Sequence, residues 1–301
     1  IEPLNGHESF NAIVENGAFM RISNYFPRIG YNSDFEIEDK NEREIRNMSP
    51  ADSLVKPDAP LDDPYNYEFI NFDALISTSS DQTAVSAGVL TETFSKDNRN
   101  YFHYKVNDIP FRFAVSSAEY EIKKSHHKSI DIEVLYHPDH HQNTDHLIEQ
   151  IIKTLDYCEN NFGKYPYGSI RFAEISSFTS GFAATAYPAC IFINEKFLHL
   201  NLLDGKNQDI INELAGHELS HQWWGNAQLK PDDREGSGVL TETLAQYTEL
   251  MLLKNEYGKV KTEEAVHLHK EIYESGKAFS GEEPLYNSDP KNSNVIYNKG
   301  L

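Results

Sequence analysis

His217-Glu218-Leu219-Ser220-His221, running on into Gln222-Trp223-Trp224-Gly225-Asn226, is the stretch around which the rest of the chain reads. On a helix, positions i and i+4 share a face, so His217 and His221 can aim both imidazoles at one point. Two neutral imidazoles suit Zn²⁺, and Glu218 stands beside them, able to take a proton from a water held there. The motif is short and the chain holds 13 His, so the bland alternative is a surface helix with two satisfied histidines. What surrounds the motif decides between the two.

Upstream, Ile210, Ile211 and Leu214 follow helical rather than strand spacing, with Asn207 or Asp209 available as a cap. Downstream, Gly236-Ser237-Gly238 breaks the chain before a second helical run over 239–254, with Leu240, Leu244, Tyr247 and Met251 on one stripe. Glu242 falls in the first turn of that run, where its carboxylate can supply a third protein ligand. Two His and one Glu leave a fourth position to water, the pattern of a catalytic rather than a structural zinc site. Glu249 lies seven residues on, two helical turns along the same face, and can hydrogen-bond a ligating histidine; otherwise it is a surface carboxylate.

With the glutamate on the next helix, HELSHQWWGN resembles the gluzincin aminopeptidases of peptidase family M-one, the alanyl aminopeptidase and leukotriene hydrolase type. Three further stretches agree. Phe162-Gly163-Lys164-Tyr165-Pro166-Tyr167 resembles the FGxYPY segment of the family's catalytic domain. GFAATAYPACIFI, 181–193, sits where the family carries its glycine-led substrate strand. Val295-Ile296-Tyr297-Asn298-Lys299-Gly300 resembles the YxKG motif, whose tyrosine stabilises the transition state. The resemblance is weak before residue 65 and strong from about residue 160 onward.

Two departures stand out. Twenty residues separate His221 from Glu242, two more than is usual in the family, and the extra pair falls in the 230–238 loop. That longer loop, the TETLAQY wording and Phe26-Pro27-Arg28-Ile29-Gly30-Tyr31 are similar to the branch fused to bacterial ABC-transporter permeases. The family's GxMEN strand uses its glutamate to hold the free α-amine. Here the matching residues are Gly181-Phe182-Ala183-Ala184-Thr185, without a carboxylate. Exopeptidase specificity is thereby left open, and Glu174, near the end of a strand over 170–175, is the candidate substitute against an ordinary strand-end role.

The fold class expected is α+β: an antiparallel β domain followed by a thermolysin-like zinc metallopeptidase domain, incomplete at its C-terminal end, with domains at 1–139 and 140–301. Residues 67–136 supply period-two runs at 67–76, 88–94, 100–106, 111–116 and 130–136, separated by turn clusters. A capped helix follows Asn143-Thr144-Asp145, with Leu147, Ile148, Ile151, Ile152, Leu155 and Cys158 inward. Strands at 170–175 and 189–193 then offer a sheet edge where a peptide can add as a strand. Residues 36–48 read as a short charged helix and 49–66 as a Pro- and Asp-rich loop. The pairs His126-His127 and His140-His141 lack a third ligand at a recognised spacing and read as solvated loop histidines.

The balance of 27 basic to 47 acidic residues, a formal −20, argues against a nucleic-acid partner. Cys158 and Cys190 make no disulfide framework and read as small buried residues. No apolar run approaches the ~20 residues of a membrane span. The opening at Ile1 and the end one residue after Gly300 read as a piece of a longer polypeptide. The resemblance implies an extracytoplasmic soluble domain, covalently part of a larger membrane transporter-like protein of a bacterium.

The chemistry implied is peptide hydrolysis with one zinc per chain. His217, His221 and Glu242 are the ligands, Glu218 is the general base and later acid, and Tyr297 is the oxyanion donor. The alternative is a binding or regulatory domain of a transporter assembly that keeps the metal for structure. Glu218 separates the two, because a closed structural site has no use for a base at that position.

Overall fold

The computed structural model describes residues 12–14, 16–27, 37, 39–50, 53–60, 69–177, 183–200, 209–225, 228–232 and 234–301. Its first half is built from strands β1 (Ala12–Val14), β2 (Gly17–Met20), β3 (Ile70–Ser79), β4 (Thr83–Ser86), β5 (Val89–Lys96), β6 (Arg99–Ile109) and β7 (Val115–Ala118). They form two sheets, β1-β2-β7-β4 and β3-β6-β5, antiparallel throughout. The turn Asp97-Asn98 between β5 and β6 has positive φ at both residues, which Asp and Asn tolerate and a tight hairpin requires. Between β2 and β3 lies helix α1 (Lys40–Ile45), whose first turn is capped by Asp39 through the Glu42 N–H.

The strand expected over 111–116 begins only at Val115. Phe111 and Phe113 instead pack edge-on against each other and against Phe26, and Phe113 also meets Phe72. Their alternation therefore serves an aromatic core loop, not a ladder.

The second half begins with β8 (Glu121–His127) and β9 (Ile130–Tyr136), followed by α2 (Thr144–Phe162), β10 (Ser169–Ile175), β11 (Ala184–Tyr187), β12 (Cys190–Asn194) and α3 (Lys196–His199). The five strands form one mixed sheet in the order β11-β12-β10-β9-β8. The β9–β10 and β10–β12 pairs are parallel, and both edges pair antiparallel. Helix α2 is the crossover that a parallel β9–β10 pair needs. Every residue of β10 and β12 is buried, as befits central strands covered on both faces.

Two strands from before residue 139 thus belong to the sheet of the second half, so that sheet crosses the 139/140 division expected from sequence. β8, Glu-Ile-Lys-Lys-Ser-His-His, is an edge strand whose register comes from its partner β9, and its sequence carries little strand signal of its own. We propose a boundary before Glu121. The histidines of β8 are strand rather than loop residues, His126 pairing with Asp131 and His127 with Asp156, both at 2.8 Å.

Helices α4 (Ile210–Ser220) and α5 (Glu242–Ser280) complete the layer over the sheet. The core between sheet and helices joins Ile132, Val134, Leu147, Ile151, Leu155, Phe172, Ile191 and Ile193 to Ile211, Ala215 and Leu219. A second core, on the other face of the sheet, joins Leu135, Ala173, Tyr187 and Phe192 to Phe19, Phe72, Tyr104 and Phe113. Asn143 stands at the N-cap of α2 but its side chain makes no capping hydrogen bond; its amide donates to the Phe197 and Leu200 carbonyls, each at 2.8 Å, and so ties the helix start to α3. Helix α5 is two helices joined at Gly258, whose φ of 79° lies in the left-handed region open to glycine. Cys158 and Cys190 are free and fully buried. Among the described residues, no helix is long and apolar enough to cross a membrane.

Candidate metal centre

Helix α4 starts where the Asp209 carboxylate accepts the Asn212 N–H at 3.0 Å. Its apolar face, Ile211, Leu214, Ala215 and Leu219, enters the core between sheet and helices. This burial fixes the rotation of the helix and turns His217 and His221 to α5. The approach is close because residue 216 is glycine. A Cβ there would lie 2.8 Å from Leu252 Cδ1 and 3.4 Å from Glu249 Cα. Past His221 the chain turns away at Gly225, whose φ is +96° and whose added Cβ would meet Thr241 at 2.8 Å. Trp223 anchors that turn, its indole N–H donating to the Gly163 carbonyl at 2.9 Å.

Across from these histidines, Glu242 opens α5. Its Oε2 stands 3.3 Å from His217 Nε2 and 3.3 Å from His221 Nε2. Ligand atoms about 2.0–2.1 Å from a tetrahedral ion lie about 3.4 Å apart, so these separations suit an ion between the three groups. The outer ring nitrogens are occupied. His221 Nδ1 lies 2.8 Å from the Trp224 carbonyl oxygen, which fixes Nδ1–H and leaves Nε2 bare towards the centre. His217 Nδ1 lies 3.3 Å from Glu249 Oε2, the partner that the seven-residue spacing suggested. Donor set, spacing and orientation all fit zinc.

The same three groups are coupled by charge. Burial works to lower the pKa of His217, but Glu242 and Glu249 outweigh it and hold it well above its ordinary value. Burial likewise opposes ionisation of Glu242, and the two imidazoles overcome it and hold the carboxyl far below the carboxylate range. Glu218 is 9% exposed and, among the described residues, makes no hydrogen bond or ion pair. Burial raises its pKa, against the pull of His217 and His221. An unpartnered carboxylate of raised pKa beside these three side chains is equipped to take up and release a proton.

Tyr297 comes from the last turn, a single π-helical turn at Val295–Lys299. Its ring stacks on His217 with centroids 6.0 Å apart, and burial followed by the Glu242 charge raises its pKa. The surrounding residues explain the position physically. The Lys299 ammonium donates to the Glu283 carbonyl at 2.6 Å, the Thr243 hydroxyl donates to the Ile296 carbonyl, and Gly300 lies against Thr243 where no Cβ would fit.

The remaining sequence candidates divide. Gly181 and Phe182 lie outside the described residues. Ala183 is exposed, and its carbonyl accepts the Asn194 N–H at 2.9 Å. Ala184 begins edge strand β11 opposite Ile193, buried and without a carboxylate. Glu174 is not turned towards it. Register places both opposite Ile193, on either side of β12, and so about 10 Å apart at two strand spacings. The Glu174 carboxylate is instead engaged by His140 Nδ1 at 2.7 Å and the His137 N–H at 3.5 Å. Burial pushes its carboxyl up to about 8, with the His137 amide opposing and Glu195 adding to the rise. His140 is correspondingly a mostly enclosed partner of Glu174, not a solvated loop histidine.

The helical stripe expected at Leu240, Leu244, Tyr247 and Met251 is the outer face; Leu240 and Tyr247 are exposed. The inner face carries Ala245, Gln246, Leu252 and Leu253, because it is the face that presents Glu242 and Glu249 to α4.

Sequence reasoning missed Arg112, in the loop between β6 and β7. Its guanidinium donates to Thr185 Oγ1 at 2.9 Å, lies 5.1 Å over the Tyr187 ring, and acts electrostatically on both Glu218 and Tyr297. No local signal marks it, since it reaches β11 from seventy-three positions away in sequence.

Comparison with known proteins bears on the same segment. The profile of the peptidase family M1 domain matches residues 146–300, just over half of the chain. Endoplasmic reticulum aminopeptidase 2 of Bos taurus is 27% identical over 139 residues. That match takes in 45% of this chain and 14% of the relative, so the chain spans far less than two thirds of the relative's length. The matched span includes the HExxH helix, the glutamate-bearing helix and the tyrosine turn described above, and the chain belongs to peptidase family M1.

Proposed function

We propose that this chain is a zinc-dependent metallopeptidase that hydrolyses peptide bonds, of aminopeptidase type by resemblance, with a thermolysin-like catalytic unit. The observation that carries the reading is the convergence of His217, His221 and Glu242 beside an unpartnered, buried Glu218. When bound by those three side chains, zinc supplies Lewis acidity and lowers the pKa of a water toward ~7. Glu218 takes the proton of the attacking water and returns it to the leaving amine, which is the use of a raised-pKa carboxylate held free of other partners. The Tyr297 hydroxyl donates to the carbonyl oxygen as negative charge develops on it. Glu249 and the Trp224 carbonyl hold the two imidazoles in the ligating orientation.

Among the described residues β11 is the last strand of the sheet, and substrate docks along it as an added strand. Alanine at 184 removes the usual carboxylate for a free amine, and Arg112 places a cation beside the same edge, so the anchoring of the chain end differs from a GxMEN site. The extracytoplasmic, transporter-fused setting is part of this proposal and is supported by sequence resemblance alone.

Incubation of the chain with a mixed peptide library, read by mass spectrometry, tests the function. Loss of single amino-terminal residues supports the exopeptidase reading, and internal cuts shift it to an endopeptidase. Either activity should vanish with chelator and fall at least ~10²-fold in Glu218→Gln. A folded, zinc-loaded chain that cuts nothing would overturn the peptidase reading in favour of a binding domain.

A further inference from the structure

We propose that His140, Glu174 and Glu195 form a second divalent-metal site, separate from the centre on α4 and α5. Among the described residues, only two groups of three His or carboxylate side chains bring ligand atoms within 4.8 Å of one another: the centre already described, and this one. The three residues come from three places at one end of the mixed sheet. His140 lies in the turn before α2, Glu174 near the end of β10, and Glu195 directly after β12. Backbone hydrogen bonds hold these places in register, Glu195 N donating to the Ile175 carbonyl at 2.9 Å and Asn143 N to the Leu198 carbonyl at 3.2 Å.

The charge balance singles the cluster out. Glu174 has a side chain 7% exposed, and Glu195 points its carboxylate to the same spot. Two carboxylates converging where one is buried and the other half-buried repel each other, and a cation between them relieves that repulsion. Among the described residues no Lys or Arg pairs with either one. The groups around them are imidazoles, which carry no charge when neutral. His140 lies 2.7 Å from Glu174 Oε1, and the rings of His137 and His199 lie 4.9 and 4.5 Å from its own. The Ser177 amide donates to Glu195 Oε1 at 2.7 Å and its hydroxyl also engages that carboxylate, which fixes the direction in which Glu195 points.

One imidazole with two carboxylates is a nitrogen–oxygen donor set suited to Zn²⁺ or Mn²⁺, whereas calcium and magnesium prefer oxygen alone. Binding replaces the direct His140–Glu174 hydrogen bond by two bonds to the ion and widens that gap from 2.7 Å to about 3.4 Å. An entry path exists, because a cleft lined by Gly17, Ser117, Tyr120, His137, Ser176 and Glu195 opens onto the cluster. The site lies away from the reacting atoms, where an ion would fasten the α2 start, β10 and the β12–α3 turn together.

The test is metal content after equilibrium dialysis of the 301-residue chain against excess Zn²⁺, by mass spectrometry of the metal, repeated with Co²⁺ and read by visible absorption. Two equivalents are expected in the parent chain. One should remain in the double variant His217→Ala/His221→Ala, and one should be lost in His140→Ala and separately in Glu195→Gln. Far-UV circular dichroism of each variant identifies any that has unfolded, and the milder Glu195→Gln then carries the comparison. One equivalent in the parent, absent from the His217/His221 variant, would overturn the proposal. So would a second equivalent that survives both His140→Ala and Glu195→Gln, which would mark adventitious binding elsewhere. The count in the double variant stands independently of whether the α4–α5 centre is a peptidase site.

Discussion

At the scale of single residues, the chemistry depends on what each side chain is prevented from doing. Glu218 and Glu242 are carboxylates within one centre, yet their environments drive them apart: burial without a partner raises the first, and two imidazoles depress the second. Such a split is consistent with the proposed division of roles, Glu242 as ligand and Glu218 as base. Tyr297 has a matching constraint. Its raised pKa keeps it a hydrogen-bond donor across the physiological range, as an oxyanion partner must be. Tyr297→Phe, which retains the ring stacked on His217, should therefore lower kcat by about 10²–10³-fold while KM changes little. Steady-state kinetics on a cleaved library peptide decides it. A kcat within a factor of three of the parent would leave Tyr297 as a packing residue.

At the scale of elements, small residues and ion pairs determine how closely the pieces approach. Gly216 lets α4 and α5 touch, and without that closeness Glu249 would not reach His217. The β8–β9 hairpin is fastened to α2 by charge: Lys128 reaches Asp156 at 2.7 Å and Glu159 at 3.0 Å, and His127 meets Asp156 at 2.8 Å. Burial opposes the ionisation of Asp156, but Lys128 and His127 prevail and lower its pKa. A carboxyl with a depressed folded-state pKa stabilises the fold above its ordinary value near 4 and loses that contribution as pH falls through the folded value. Asp156→Asn should thus cost about 0.5–1 kcal/mol at pH 7, a partly exposed network being screened by solvent. The difference from the parent should vanish well below pH 4. Denaturant melts at pH 7 and pH 3 check it, and an equal cost at both would show that the contribution is packing rather than charge.

At the scale of the whole molecule, the mixed sheet binds the two halves into one body. Its outer face is covered by the amino-terminal strands, with Phe192 edge-on to Phe19 at 5.0 Å and Arg171 held by both Glu133 and the Gly88 carbonyl. A chain cut at 139/140 would lose β8 and β9, bare the edge of β10 and expose Ala173, Ile175, Tyr187 and Phe192. Residues 140–301 expressed alone should consequently be insoluble or lack a cooperative melt, and residues 121–301 should still expose that second core face. Calorimetry of both pieces measures this. A soluble 140–301 fragment with a sharp transition would favour the boundary at 139/140.

Local pattern by itself determined the candidate ligand pair, the helices that carry it and the buried strands, because imidazoles at i and i+4 and apolar periodicity are properties of a few turns of chain. Glu242 was legible for the same reason, as the first carboxylate of the next helix, while Tyr297 was legible only through resemblance of the YNKG stretch. Tertiary structure alone decided that β8 and β9 join the second sheet, that Glu174 turns to His140, that α5 turns Ala245, Gln246, Leu252 and Leu253 inward, and that Arg112 reaches Thr185. Each of these depends on register between strands or packing between elements distant in sequence. Such pairings are selected by the energy of the whole buried assembly, and no window of neighbouring residues contains it.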